Sequence, residues 1–400
     1  MMATTERFAL ARTLLANPAM FRVRPSAGLF MARYMREFTV KRAGDNLILH
    51  SHLPPLTSPA YSRFVEHHLV SRRPGPSHAQ VGLTNRCPQN CEYCYNKTRK
   101  GEPMSTGNIL GVIDDLKKMG VAWFGFTGGE PLLNPDIVDI TAHTAGDSAV
   151  KLFTTGCGLT PQLAISLADA GLFSVAVSLD HWEAVPHDAS RRYPGAFDAA
   201  IAALGIFKRV PGLHVSVSSV VSPEMIHNGD VERLLSFLES LAIDEAWLSE
   251  VKPSVEAFWR DEMVITEQER RQLAALQDAY NKRGGMTVNY LGHFEGAEHF
   301  GCNAGCKMIY VDAFGEVSPC VFLPMSFGNV RERPLAEIVE EMRSVFPGEG
   351  RCFVNRNFRL LGEFAGDGSP LDREQSLAMV GKVKFGAPSA FNRRLYGKGV

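Results

Sequence analysis

The 400-residue chain is 45% hydrophobic and 21% charged, an ordinary balance for a water-soluble globular protein, and it is long enough for more than one core. No apolar run reaches membrane-spanning length, and the N-terminus lacks the basic, apolar, small-residue order of a cleaved signal, so a cytoplasmic location is expected. The net charge of −1 conceals two basic ends: residues 1–50 hold eight Arg/Lys against three Asp/Glu, and residues 381–400 hold Lys382, Lys384, Arg393, Arg394 and Lys398 with no acid. Such ends read either as solvated termini or as contact with an anionic partner or membrane surface.

Residues 1–77 read as an appendage. Helices are expected over Thr5–Ala16 and 28–38, then a hairpin over Phe38–Leu53 around Ala43-Gly44-Asp45-Asn46. A further helix over Ser58–Val70 has Ser58 as N-cap and Pro59 at its first position. Arg72–Ser77, with two prolines and a glycine, is a linker. From residue 78 strands and helices alternate. The strand candidates are His78–Thr84, Ala122–Thr127, Val150–Thr155, Ser174–Leu179, His214–Val221 and Glu245–Val251. Between them lie Ser105–Met119, stopped by Gly120, and a helix opened by Thr160-Pro161 and closed by Gly171; residues 196–209, 229–240 and 266–283 supply three more.

Six βα units imply a parallel sheet with right-handed crossovers, and six are too few to close an eight-stranded barrel. The expected class is α/β: a partial, TIM-like (β/α)6 barrel over 78–285, with functional groups just after strand C-termini. Residues 286–360 hold four cysteines, strand-like runs at Met308–Asp312 and Val317–Cys320, and a helix candidate at Leu335–Val345, and read as a small cluster-binding domain. Residues 361–400 read as a basic wrapping tail.

The run Cys87-Pro-Gln-Asn-Cys91-Glu-Tyr-Cys94 directly follows the first barrel strand. Its C-x3-C-x2-C spacing offers three thiolates to a metal cluster and withholds a fourth, the mark of a site where chemistry happens. With no export signal, metal binding in a reducing compartment explains the cysteines better than disulfides. Gly128-Gly129-Glu130-Pro131 follows the second strand, Thr154-Thr155-Gly156 ends the third, and Ser178 and Asp180 end the fourth, with Arg191 expected in the loop beyond. Two glycines let backbone approach a ligand closely, and a neighbouring carboxylate suits a cationic amino group.

These segments resemble the radical S-adenosylmethionine (radical SAM) enzymes. Tyr93 precedes the third cysteine as in that family, Gly128-Gly129-Glu130-Pro131 matches its GGEP segment, and Ser178-Leu179-Asp180 with His187-Asp188, Arg191 and Gly195-Ala196-Phe197 resembles its fourth-strand segment. The resemblance covers roughly residues 78–285. It implies a 4Fe-4S cluster on Cys87, Cys91 and Cys94 whose open iron chelates SAM. Glu130 would hold the SAM amino group beside Gly128 and Gly129, Ser178 and Arg191 its carboxylate, Asp180 the ribose, and Tyr93 would lie near the adenine. One-electron cleavage would give a 5′-deoxyadenosyl radical that takes a hydrogen atom from a substrate carbon. Two departures are visible: Thr154-Thr155-Gly156 stands where Thr-Asn-Gly is frequent, and His181 stands where Gly is frequent, placing an imidazole near the mouth of the site.

A second group, Cys302, Cys306, Cys320 and Cys352, with Gly315 between the first and third and Gly328-Asn329-Val330 beyond, resembles the SPASM auxiliary-cluster domain or its shorter twitch form. That resemblance implies one auxiliary 4Fe-4S cluster. Four-cysteine ligation is the favoured reading; if Cys306 is only a buried thiol, three ligands remain. Cys157 is either an ordinary buried thiol or a hydrogen-atom donor, and His181 either a solvated side chain or an acid–base group. Tyr290, His293, Glu295 and His299 lie where the two domains should meet.

A reducing partner such as ferredoxin or flavodoxin is implied, with a ribosomal peptide or an amphipathic, lipid-like small molecule as substrate. A two-cluster electron carrier and a zinc-stabilised binding module are the competing readings. No aromatic-basic stripe argues for nucleic acid.

Overall fold

Six short runs rich in Val, Phe, Leu and Ser form parallel strands, β3 (His78–Thr84), β4 (Trp123–Gly128), β5 (Ala149–Thr154), β6 (Leu172–Ser178), β7 (His214–Val221) and β8 (Glu245–Glu250). The computed structural model describes residues 11–366 and 369–397. The expected helix over Thr5–Ala16 therefore lies partly outside the described residues, as does Lys398. The strands are buried along nearly their whole length, as befits a parallel sheet covered on both faces. Helices cover the outside. Thr106–Met119 begins at a Ser105–Asn108 capping box, ends at Gly120 in the left-handed region (φ 102°), and buries Ile109, Val112, Ile113 and Leu116. Pro161–Asp169 is capped by Thr160, and Glu267–Arg283 by a Thr266–Glu269 box.

The sheet is longer than the six expected units. β9 (Thr287–Tyr290) pairs parallel with β8, and β10 (Met308–Val311) pairs parallel with β3, followed by antiparallel β11 (Val317–Ser318). The order is β11-β10-β3-β4-β5-β6-β7-β8-β9, nine strands in one sheet. The segment after residue 285 thus extends both ends of the barrel sheet, satisfying edges that β3 and β8 would otherwise expose. Residues 291–307 connect β9 to β10, and so run from one flank of the open sheet to the other. Arg99, behind the cysteine loop, locks that loop to the β10 flank by donating to Asp312 (3.2 Å), Ser318 (3.1 Å) and the Leu323 carbonyl (2.9 Å).

Two helices absent from the sequence expectations, Ile137–Thr144 and Ala184–Arg191, complete the βα units. The region expected to be a wrapping tail contains the helices Arg373–Val380 and Ala390–Tyr396, and its start lies in the helix Phe353–Ala365.

The appendage comprises a helix (Pro25–Tyr34), a hairpin of β1 (Lys41–Ala43) and β2 (Asn46–Ile48), and a Ser58-capped helix (Pro59–Phe64) that widens into a π-helical turn over Val65–Val70. Phe30, Tyr34, Phe38 and Phe64 form a second core with Trp247, Phe294, Phe300 and Phe391. The chain after β2 plugs the N-terminal ends of the strands. Ser51 accepts at its carbonyl from Trp123 Nε1 (3.0 Å) and donates its N–H to Glu245 (2.8 Å), which also accepts from His214 Nε2 (2.8 Å) and Asn289 Nδ2 (3.0 Å). Burial pushes the Glu245 carboxyl up, but His214 and Lys151 outweigh burial and hold it below the usual carboxylate range. Lys151, fully buried, bonds Ser51 Oγ and sits 3.6 Å from the Trp247 ring centre; burial pulls its ammonium down to about 7.

Candidate active site

At the opposite, C-terminal ends of the strands the cysteine loop leaves β3 and is stitched to the turn after β4. Gly129 N donates to Thr84 O and Glu130 N to Arg86 O, both at 2.7 Å. A Cβ on Gly128 would stand 2.3 Å from Thr84 O, and one on Gly129 2.3 Å from Arg86 O, while Gly128 also holds φ +121°. The paired glycines are thus demanded first by the cysteine loop crossing over them.

The Glu130 carboxylate is completely buried. It accepts from Leu132 N (3.0 Å), Thr154 Oγ1 (2.7 Å), Thr155 N (2.6 Å) and the Thr155 hydroxyl. Burial pushes its carboxyl up, with the threonine bonds opposing. Both oxygens are engaged within the protein, and Glu130 is not among the residues lining the cavity beside it. The departure at Thr155 supplies one of the two hydroxyls that hold it, and Thr154 supplies the other.

A cavity of about 360 Å³ opens here. Cys87, Cys91, Cys94, Tyr93, Gly128, Gly129, Ser178 and Arg191 line it on one side. Arg191 is the last residue of the helix Ala184–Arg191, not a loop residue: Pro186 falls in the first turn, where proline is tolerated. Its guanidinium pairs with Asp180 (2.8 Å) and lies 3.8 Å from Cys91 Sγ. Asp180 also accepts from the Tyr93 hydroxyl and Val220 N (2.9 Å), so it orients Tyr93 and Arg191 from behind. Arg191 Nε is buried with no partner. Burial pushes all three thiols up, Cys87 to about 12, so a metal's charge is what would make them thiolates. Three such thiols lining one cavity, beside a guanidinium that keeps one N–H unengaged, fit an open-site cluster and an anionic ligand.

Cys157 and His181 are not on this wall. Cys157 is half-buried with Gln89 Nε2 at 3.8 Å, and His181 stacks on Trp182 with ring centres 3.9 Å apart.

The far side of the cavity holds Trp247, Glu250, Lys252, Glu295, Cys320 and Phe322. Glu250 and Lys252 sit at and just beyond the end of β8, where the fold predicts functional groups, yet only their position, not a motif, announces them. Glu250 accepts from Arg270 Nε (2.9 Å) and Tyr290 Oη (2.6 Å). Lys252 Nζ lies 3.3 Å from Cys352 Sγ, 3.6 Å from Glu295 and 3.7 Å from Glu250. Burial alone lowers its ammonium, but Cys352 and the two carboxylates outweigh burial and raise it.

A second, smaller apolar cavity of about 70 Å³ adjoins the first and shares His52, Glu295, Met308, Cys320 and Phe322 with it. Cys302, Cys320 and Cys352 all line it. Cys306 does not line it. The tight turn at Asn303–Lys307 points its Sγ back to Asn303 O (3.3 Å), with Lys307 and Arg343 as its charged neighbours. Of the residues expected at the domain junction, Tyr290 and Glu295 are there. His293 and His299 instead bond Glu37 of the appendage, at 2.9 and 3.3 Å.

Comparison with known proteins agrees with this geometry. The Radical SAM superfamily model matches residues 81–238, and the model of the SPASM iron–sulfur cluster-binding domain matches residues 302–356. The chain is a radical SAM enzyme with a C-terminal SPASM domain. This radical SAM enzyme is 26% identical over 303 residues to an AdoMet-dependent heme synthase of Methanosarcina barkeri, covering 68% of the chain and 86% of the relative. It is 34% identical over 155 residues to a PqqA peptide cyclase of Methylocella silvestris, covering 38% and 40%. Among solved structures, Streptococcus suis SuiB bound to precursor peptide SuiA superposes with a TM-score of 0.54 at 15% identity, covering 70% of this chain and 67% of that one, a likeness of fold. Membership brings a 4Fe-4S cluster with SAM, and the SPASM domain brings auxiliary iron–sulfur chemistry. Among the described residues no helix is long and apolar enough to cross a membrane.

Proposed function

We propose that Cys87, Cys91 and Cys94 hold the SAM-binding cluster, that SAM lies against Gly128, Gly129, Tyr93, Ser178 and Arg191, and that a substrate carbon is oxidised between this cluster and an auxiliary one at Cys302, Cys320 and Cys352. When bound and reduced by a ferredoxin- or flavodoxin-like partner, the first cluster supplies with SAM the radical that removes a substrate hydrogen atom. The observation that carries this reading is the contiguous cavity joining the cysteine triplet to Cys320 and Glu295. A substrate seated in it touches both redox regions, so the electron left after hydrogen loss has a short route out. Arg191, held by Asp180, offers a fixed cation to a carboxylate. Trp247 and Phe322 give the cavity apolar walls.

The substrate is proposed to be a peptide side chain. The PqqA peptide cyclase and the SuiB–SuiA complex support that class. A second reading, an amphipathic small molecule met at a membrane surface, is favoured by one observation. Leu15, Phe21 and Leu29 of the basic appendage are 82%, 75% and 56% exposed.

Anaerobic incubation with SAM, a strong reductant and candidate pools tests both. The expected result is 5′-deoxyadenosine together with a peptide product lighter by two hydrogens. Failure to form any 5′-deoxyadenosine would reject the mechanism. A mass change confined to a lipid pool, with vesicle binding lost in Leu15→Glu/Phe21→Glu, would replace the peptide reading by the second.

A further inference from the structure

We propose that Glu295 is the fourth protein ligand of the auxiliary cluster, completing the set Cys302, Cys320, Cys352 and Glu295; this rests on the reading that an auxiliary cluster occupies that cavity. Cys306 turns away from this cavity, and three thiols line it. A 4Fe-4S cluster presents four irons, and a fourth donor must come from the protein, from solvent or from a substrate. Among the described residues Glu295 is the only carboxylate lining that cavity.

Two observations mark it as more than a neighbouring acid. Its Oε2 is buried without a hydrogen-bond partner, an arrangement that costs stability unless another partner fills it. The other buried carboxylates nearby are engaged: Glu250 takes Arg270, Tyr290 and Asn355, and Glu130 takes four donors. The same Oε2 lies 3.6 Å from Lys252 Nζ, which lies 3.3 Å from Cys352 Sγ. One ammonium thus lies beside both a cavity thiol and the candidate carboxylate.

The chain path supplies the means. Glu295 and Cys302 both lie on the 291–307 connection between the two sheet flanks, so one segment delivers both donors to the cavity from the same side. A carboxylate is a harder donor than a thiolate. The site is therefore a mixed one, with Lys252 positioned to donate to the Cys352 sulfur and tune its redox potential.

The test uses the full-length chain carrying Cys87→Ala/Cys91→Ala/Cys94→Ala, which isolates the auxiliary centre. The readouts are iron content, Mössbauer and electron paramagnetic resonance spectra of the reduced centre, and their response to added cyanide. With Glu295 present, four irons per chain and a cyanide-insensitive signal are expected. Glu295→Ala should expose one iron, giving a shifted, cyanide-responsive signal or partial loss of iron. Glu295→Cys should restore full iron with a spectrum of four-thiolate type. Unchanged iron and spectra in both Glu295→Ala and Glu295→Cys would overturn the Glu295 assignment alone. Loss of all iron from the triplet variant would overturn the auxiliary-cluster reading and the assignment with it.

Discussion

The two ends of the barrel strands treat buried charge in opposite ways. At the N-terminal end, Glu245 meets Ser51, His214 and Asn289, and Lys151 rests on Ser51 and the Trp247 ring, so that end is a sealed plug. At the C-terminal end, Arg191 Nε and Glu295 Oε2 are buried without hydrogen-bond partners, and six thiols line the two adjoining cavities. Satisfied charges fasten structure, whereas unsatisfied ones in a cavity define what must arrive.

The largest effect should come from breaking the plug. Glu245→Ala strips His214 and Lys151 of their shared counter-charge and should cost about 3–5 kcal/mol, read as a lowered denaturation midpoint. Its folded fraction should keep its turnover of SAM; loss of turnover in fully folded protein would mean the two ends are not separable.

At the other end, Gly129→Ala forces a Cβ against Arg86 O and should cost about 1–3 kcal/mol. Here the damage should concentrate in the cysteine loop: iron at the SAM site falls while auxiliary iron persists. Thr155→Val removes a hydroxyl from Glu130 and leaves that oxygen with one donor fewer, again about 1–3 kcal/mol. The same change should raise the KM for SAM through the displaced turn after β4, without eliminating 5′-deoxyadenosine as removal of the cysteine triplet would.

The smallest effect concerns the staple between appendage and barrel. Burial pushes the Glu37 carboxyl up, but bonds from His293 and His299 outweigh it and bring it down to about 2. A carboxylate lowered on folding contributes stability above its unfolded value near 4.5, and that contribution drains away as pH falls towards about 2. Glu37→Gln should flatten the acid limb of stability in that window by no more than about 1 kcal/mol, as measured by denaturant titration.

Much of this architecture was legible from local patterning. β3 and β7 have the bounds their apolar runs suggest, and Ser105, Thr160 and Thr266 cap the helices they precede. What escaped was non-local or weakly marked. β10 reads as a strand from its own residues, but its pairing with β3 joins residues more than two hundred apart, which no local periodicity encodes. β9 is four residues long, and the helix Ile137–Thr144 lacks a side-chain cap. In the site, the cysteine triplet and Gly128-Gly129 were visible because spacing is chemistry there. Cys306 is close in sequence to Cys302 but turns its sulfur towards Asn303 O, away from the cavity that Cys302 lines, and spacing does not encode that turn. Glu250, Lys252 and Glu295 carry no motif, and only the fold gathers them.

The connection from β9 to β10 has a final consequence. It lies across the gap of an unclosed sheet and carries Cys302, while Cys320 follows β11 and Cys352 precedes the helix Phe353–Ala365. A metal centre gripping all three, as proposed, would act as a rivet through three separate stretches of chain, restricting the unfolded ensemble much as a cross-link does. Maturation of the cofactor and docking of the β9–β10 connection would then become one cooperative event. Chelation of iron should therefore loosen the flank formed by β10 and β11 before it disturbs the strands from β4 to β7.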